Sequence, residues 1–274
     1  MRRDKDREFM NKPMITAHSG CEGTEIDSME SIELALEYGA EAVEVDVRVD
    51  QAGELRISHN EVSLEEFQTK LTLREVMEKL DGTDMILNCD IKEQTALYET
   101  LRKAELLHFP RERLVLSGCT GLEQLARDPR LTKRARFFLN IEEVLKFVYL
   151  HREMELSMER IMLLMRDPWV ILKDSQIRDI LIKDTVLCYQ MLGAEAANLP
   201  KRLLGTPLVM ALRMAGIPLS VWTVNEVEIA RACLQTNVFN ITTRQVRDVM
   251  QVRDKWLAAA HKAGPFKPGG LIRK

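Results

Sequence analysis

The segment from Val43 to Val49 constrains the fold more than any other stretch. Val43, Val45, Val47 and Val49 alternate with Glu44, Asp46 and Arg48. That is a period of two, the pattern of a strand with one β-branched face and one charged face. A helix-like run from Asp27, closed by Gly39, precedes it, so the strand belongs to an α/β unit. In such a unit both faces of the sheet are covered, and the charged face has no bulk water to point at. Two buried carboxylates on one face repel and lose hydration, so they need a cation. A divalent metal held by oxygen ligands meets that need most simply.

The same parity recurs downstream. Over Asp84 to Lys92, Leu87, Cys89 and Ile91 share one face while Asn88, Asp90 and Lys92 share the other. Further strands are expected at Met14–His18, Leu114–Ser117, Ala135–Ile141, Ala194–Leu199, Pro218–Val224 and Val238–Thr242. A turn over Asp50–Gly53 and a short return strand, Leu55–Ser58, deliver His59. Helix-like runs separate the main strands. Asp27 is the expected cap of the first, with Glu30 completing a capping box. Eight strands alternating with helices predict a single α/β domain, a (β/α)8 TIM barrel. In that architecture the site lies at the C-terminal ends of the strands. His18, Glu44, Asp46, His59, Asp90, Lys92, Ser117, Asn140 and Trp222 all fall at or near such ends.

The stretch from Ile141 to Gly193 is longer than one crossover needs. It reads as a helix from Glu142 to Met165, a break at Asp167-Pro168, and a second run from Ser175 to Leu192. Met154, Met158, Met162 and Met165 recur at helical spacing, which fits packing, with an apolar lid or dimer face as the sharper alternative.

Composition narrows the class. A net charge of −3 gives no electrostatic footprint for nucleic acid. The five cysteines are odd in number and scattered, as expected for reduced thiols in a cytoplasmic protein. No apolar segment follows the charged start, and no run approaches the ~18 apolar residues of a transmembrane segment. Residues 1–12 read as a flexible arm, 13–262 as one barrel domain, and 263–274, rich in glycine and proline, as a flexible tail. Nothing here specifies an oligomeric state.

His18-Ser19-Gly20, Ile26-Asp27-Ser28, Gly39-Ala40-Glu41, Glu44-Val45-Asp46 and His59-Asn60 together resemble the signature of the glycerophosphodiester phosphodiesterase family, in order and approximate spacing. Trp222-Thr-Val-Asn225 is similar to the family's late strand, and Asn240-Ile-Thr-Thr243 to its Ile-Thr-Asp turn, so the resemblance spans His18 to Thr243. It implies a PLC-like barrel in which Glu44, Asp46 and Asp90 bind Mg²⁺ or Ca²⁺, with Mn²⁺ also feasible. It further implies that His18 and His59 act as general base and acid, in an order left open, that Lys92 binds phosphate, and that small glycerophosphodiesters of lipid metabolism yield glycerol 3-phosphate and an alcohol. The chain departs from the pattern at Ser19, where the family has a phosphate-contacting Arg, at Asp90, where it has Glu, and at Asn60, where it has Asp. Arg48, on the charged face, is the candidate to compensate for the first. Ser19, Arg48, Ser117, Asn140 and Trp222 are the expected substrate contacts. The departures leave two alternatives: a phosphate-binding barrel without turnover, or a phosphodiesterase for another substrate such as a cyclic diester or a lysophospholipid.

Overall fold

The alternating segment forms β2 (Ala42–Val49), and its valines and its charges part as their period requires. A computed structural model describes residues 12–50, 52–151, 162, 172–173 and 178–263. Eight parallel strands close a barrel: β1 (Met14–Ala17), β2, β4 (Ile86–Ile91), β5 (Leu114–Gly118), β6 (Arg136–Asn140), β7 (Ala196–Pro200), β8 (Leu219–Trp222) and β9 (Asn240–Thr243). Closure comes from β1, which pairs with β9 on one side and β2 on the other. The short β3 (Leu55–Ile57) runs antiparallel to β2 outside the closed ring.

Helices cover the barrel. They are α1 (Met29–Glu37), α2 (Leu64–Thr69), α3 (Leu73–Lys79), α4 (Gln94–Leu106), α5 (Leu122–Arg127), α6 (Ile141–His151), α7 (Arg178–Leu192), α8 (Pro207–Met214), α9 (Val227–Gln235) and α10 (Val246–Ala263). Local sequence sets several starts. Thr72 and Glu75 form a reciprocal capping box on α3, and Thr206 caps α8 ahead of Pro207. The expected cap of α1 is corrected. Ser28, not Asp27, accepts from the Ser31 amide, and Asp27 lies outside the helix with φ 62°. The helix α2 falls in a stretch that the sequence presents only as a connection. In the long crossover α6 and α7 are present, whereas Met154, Met158, Met165, Asp167 and Pro168 lie outside the described residues. Most of the expected arm and tail also lies outside them. Met162 is 68% exposed.

The main core is an annulus between barrel and helices. Outward strand residues such as Val43, Val45, Leu87, Leu139 and Val221 meet Ile32, Leu97, Leu145 and Leu212 there. The barrel interior is different. Its floor is a small apolar cluster of Val115, Phe138 and Ala196, flanked by Met14, Ile86 and Phe239. Above the floor a row of polar side chains crosses the wall. Thr16 Oγ1 donates to Asn240 Oδ1 (2.7 Å), Asn240 Nδ2 to Ser220 Oγ (2.9 Å), Ser220 Oγ to Asn198 Oδ1 (2.9 Å), and Asn198 Nδ2 to Asn140 Oδ1 (2.7 Å). Buried polar groups are tolerated when bonded in this way.

One ion pair ties the last helix to the bottom of the barrel. Arg253 on α10 is 2% exposed, and its Nη1 donates to both oxygens of Glu41 (2.8 and 2.7 Å) and to the Pro13 carbonyl (3.1 Å). Glu41 Oε2 also accepts from the Ile15 amide at 3.0 Å, so the pair clamps β1, the entry to β2 and α10 together.

Candidate active site

The parity of β2 aims Glu44 and Asp46 into the barrel, and the in-register pair Asp46↔Asp90 brings the third carboxylate beside them. Ligand oxygens of Glu44, Asp46 and Asp90 all lie within 4.8 Å of one another. Gly118 permits the close approach of β5. At φ +77° a Cβ there would stand 2.4 Å from the Ile91 carbonyl oxygen and 2.8 Å from Asp90 Oδ1. Ser117, one residue earlier, donates to Asp90 Oδ1 at 2.9 Å and orients it.

A cavity of about 190 Å³ opens over this cluster at the C-terminal ends of the strands. Of the sequence-selected residues, His18, Glu44, Asp46, His59, Asp90, Lys92, Ser117, Asn140 and Trp222 line it. Ser19 and Arg48 do not. Ser19 is buried; its hydroxyl donates to Asp27 Oδ1 (3.0 Å) and accepts from the Asp27 amide (2.7 Å). Arg48 does point inward by parity, but Glu93 (3.0 Å) and the His59 carbonyl (3.2 Å) hold its guanidinium away from the cavity. Larger hollows of about 420 Å³ at the opposite end of the barrel and about 640 Å³ beside Arg48 carry no such cluster among the described residues.

The electrostatics follow from burial. Lys92 Nζ lies against Asp46 Oδ1 and 2.6 Å from Asp90 Oδ2. Burial alone lowers the Lys92 pKa, but the two carboxylates outweigh it and raise the value. Glu44, buried beside the charges of Asp46 and Asp90, has its pKa pushed well above the usual carboxylate range. His18 lies 3.9 Å from Glu44 Oε2, and its Nδ1 is 3.2 Å from the Ser19 carbonyl oxygen. Burial, then the positive charge of Arg244, lowers its pKa. His59 Nδ1 is 3.0 Å from Asn60 Oδ1, so the Asn that replaces the resembled Asp still orients the ring.

Four further lining residues, Asn88, Glu142, Asn198 and Thr242, were not singled out from the sequence. Asn88 was legible by its parity with Asp90. Glu142 opens α6 directly after Asn140; burial raises its pKa, and its Oε2 has no hydrogen-bond partner among the described residues. Asp27 is the other addition. Its Oδ2 accepts from the His59 amide at 2.8 Å, so it spans the gap between β1 and β3. The donor set suits a hard divalent cation: three carboxylates converge, and Asp46 Oδ2 is buried without a partner.

No family model matches the sequence, and no curated protein matches it. Solved structures do. A glycerophosphodiester phosphodiesterase of Thermotoga maritima is 21% identical with a TM-score of 0.58, over 88% of this chain and 98% of that one. One from Parabacteroides distasonis is 16% identical with a TM-score of 0.64, over 90% and 99%. An Oleispira antarctica phosphodiesterase in complex with the product sn-glycerol-3-phosphate is 16% identical with a TM-score of 0.62, over 89% and 97%. The expected (β/α)8 barrel is therefore the one present. More narrowly, the chain has the fold of the glycerophosphodiester phosphodiesterases.

Proposed function

We propose that the chain is a metal-dependent phosphodiesterase that hydrolyses glycerophosphodiesters to glycerol 3-phosphate and an alcohol. One juxtaposition carries this reading: the Glu44, Asp46 and Asp90 oxygens within 4.8 Å, with two histidines and a lysine on the same cavity. A barrel of the same fold, from Oleispira antarctica, is described with sn-glycerol-3-phosphate bound. Glu44, Asp46 and Asp90 would hold Mg²⁺ or Ca²⁺, or Mn²⁺, and the ion would polarise the phosphoryl group and offset its charge.

The chain's own residues account for the proton and charge movements. His18 donates through Nδ1 to the Ser19 carbonyl, which leaves Nε2 as the lone pair facing the cavity. A lowered pKa keeps that ring neutral at neutral pH, so His18 serves as the general base toward the attacking hydroxyl, from water or from the substrate's own glycerol. His59, at the mouth and steadied by Asn60, delivers a proton to the departing alcohol oxygen. Lys92 offsets the charge that builds on the phosphoryl oxygens. Asn140 and Trp222 border the space left for the organic part of the substrate.

The cytoplasm is the proposed location, since all five cysteines are free. No helix among the described residues is long and apolar enough to cross a membrane. The test is product release from a panel of glycerophosphodiesters with EDTA, Mg²⁺, Ca²⁺ or Mn²⁺, repeated with His18→Ala. Metal-dependent glycerol 3-phosphate release that the variant loses supports the reading. Folded protein that releases nothing with any metal refutes it and leaves a phosphate-binding barrel or another diester as the function.

A further inference from the structure

The cavity's own side chains bring little positive charge to an anionic substrate beyond what a divalent ion on Glu44, Asp46 and Asp90 would supply. Glu44, Asp46, Asp90 and Glu142 line it, against the single ammonium of Lys92. That ammonium is committed to Asp46 and Asp90. Arg48 is committed to Glu93. Ser19 brings no cation to the corner beside His18.

Arg244 stands at that corner. It follows Thr243, whose carbonyl accepts the His18 amide at 2.8 Å. Its own amide is held by Asn225 Oδ1 at 2.9 Å, which fixes the backbone. Its Nε donates to the Ser19 carbonyl at 2.9 Å, the same oxygen that lies 3.2 Å from His18 Nδ1. Sharing that acceptor keeps the guanidinium within about 6 Å of the imidazole. The side chain is only partly buried, and no carboxylate pairs with it among the described residues. An arginine pinned through Nε keeps its two terminal nitrogens as a planar fork, the shape that grips phosphate oxygens.

We infer that Arg244, which stands beside His18 without itself lining the cavity, is a phosphate-binding residue whose free terminal nitrogens hold a non-bridging oxygen of the substrate next to that ring. This rests on the proposed phosphodiesterase reading for its substrate, but its chemistry requires only a phosphate group. The bland alternative is a clamp that merely ties the end of β9 to the loop after β1.

The test compares wild type with Arg244→Gln and Arg244→Lys in Mg²⁺. It measures glycerol 3-phosphate and inorganic phosphate affinity by calorimetry, KM and kcat on a glycerophosphodiester, and the melting temperature. Loss of one charge-assisted contact predicts about ten-fold or more weaker binding of both anions in Arg244→Gln. KM rises with it, Arg244→Lys recovers part, and Mg²⁺ affinity stays unchanged. Unchanged anion affinity in Arg244→Gln, with or without a drop in melting temperature, overturns the inference. A wild type that hydrolyses no glycerophosphodiester yet binds phosphate through Arg244 removes the enzyme reading and keeps this one. A wild type that turns over with unchanged kinetics in Arg244→Gln does the reverse. A wild type that binds no phosphate overturns this inference outright.

Discussion

Replacing Arg253 with Met tests the clamp at the base of the barrel. The change keeps bulk and length but removes a guanidinium that is 2% exposed and bonded to Glu41 and the Pro13 carbonyl. Breaking a buried pair from one side costs about 3–5 kcal/mol when the partner is left wholly unpaired. Glu41 is not wholly stranded, because its side chain is 28% exposed and keeps Lys12 (2.9 Å) and the Ile15 amide (3.0 Å). The expected loss is therefore about 2–3 kcal/mol, or roughly 5–10 °C in melting temperature for a domain of this size. The loss also depends on pH. Burial alone raises the Glu41 pKa, but the hydrogen bonds from Arg253 and Lys12 outweigh it and leave the value lowered. A carboxyl with a lowered folded pKa contributes stability that is full above its unfolded value, about 4.3, and disappears as pH falls through the folded value. The gap between wild type and Arg253→Met should therefore be full at pH 6 to 7 and shrink steadily below about pH 4. Urea unfolding of both proteins across that range measures it. A gap below about 0.5 kcal/mol at pH 7, or one that does not narrow in acid, would refute the clamp.

Other expectations concern the site. Mg²⁺ or Ca²⁺ at about a hundred times its dissociation constant should stabilise metal-stripped protein by about 2.7 kcal/mol, and Asp46→Asn should lose most of that thermal shift; an equal shift in the variant contradicts the ligand assignment. Gly118→Ala places a Cβ 2.4 Å from the Ile91 carbonyl oxygen at φ +77°. It should cost more than about 2 kcal/mol in urea unfolding, and near-wild-type stability would show that β5 yields there without strain. Asp27→Ala frees the His59 amide and the Ser19 hydroxyl, so kcat should fall about ten-fold or more while Mg²⁺ affinity holds. Unchanged turnover would mean that His59 needs no such tether.

The barrel and the carboxylate cluster of the candidate site were legible because both depend on period two. Once Glu44 and Asp46 share a face, the parallel register that a barrel imposes carries Asp90 and Lys92 to the same side. Asp27 was misread because Asp27/Glu30 and Ser28/Ser31 offer competing cap registers, and backbone geometry, not composition, chose the second. Arg48 shows the limit of parity: its direction was right, but Glu93, distant in sequence, captures its side chain. Glu142 and Asn198 gain meaning only from the stagger of strands that the sequence does not print. Arg244 touches a residue 225 positions away, a contact that only barrel closure creates.

The row of polar side chains inside the barrel has a sense as well as a position. Each bond runs the same way, from Thr16 to Asn240, to Ser220, to Asn198 and finally to Asn140. Such a one-way relay polarises its members in the same sense. Because the relay ends on Asn140 Oδ1, that oxygen is engaged by Asn198, and the NH₂ group is left as the donor of a residue that lines the cavity. The orientation of a side chain at the candidate site is thus coupled, amide by amide, to hydroxyls on the far side of the wall. Deleting the central hydroxyl, as Ser220→Ala does, removes two links at once and lets Asn198 and Asn140 flip together, which would exchange a donor for an acceptor at the cavity wall without moving a strand.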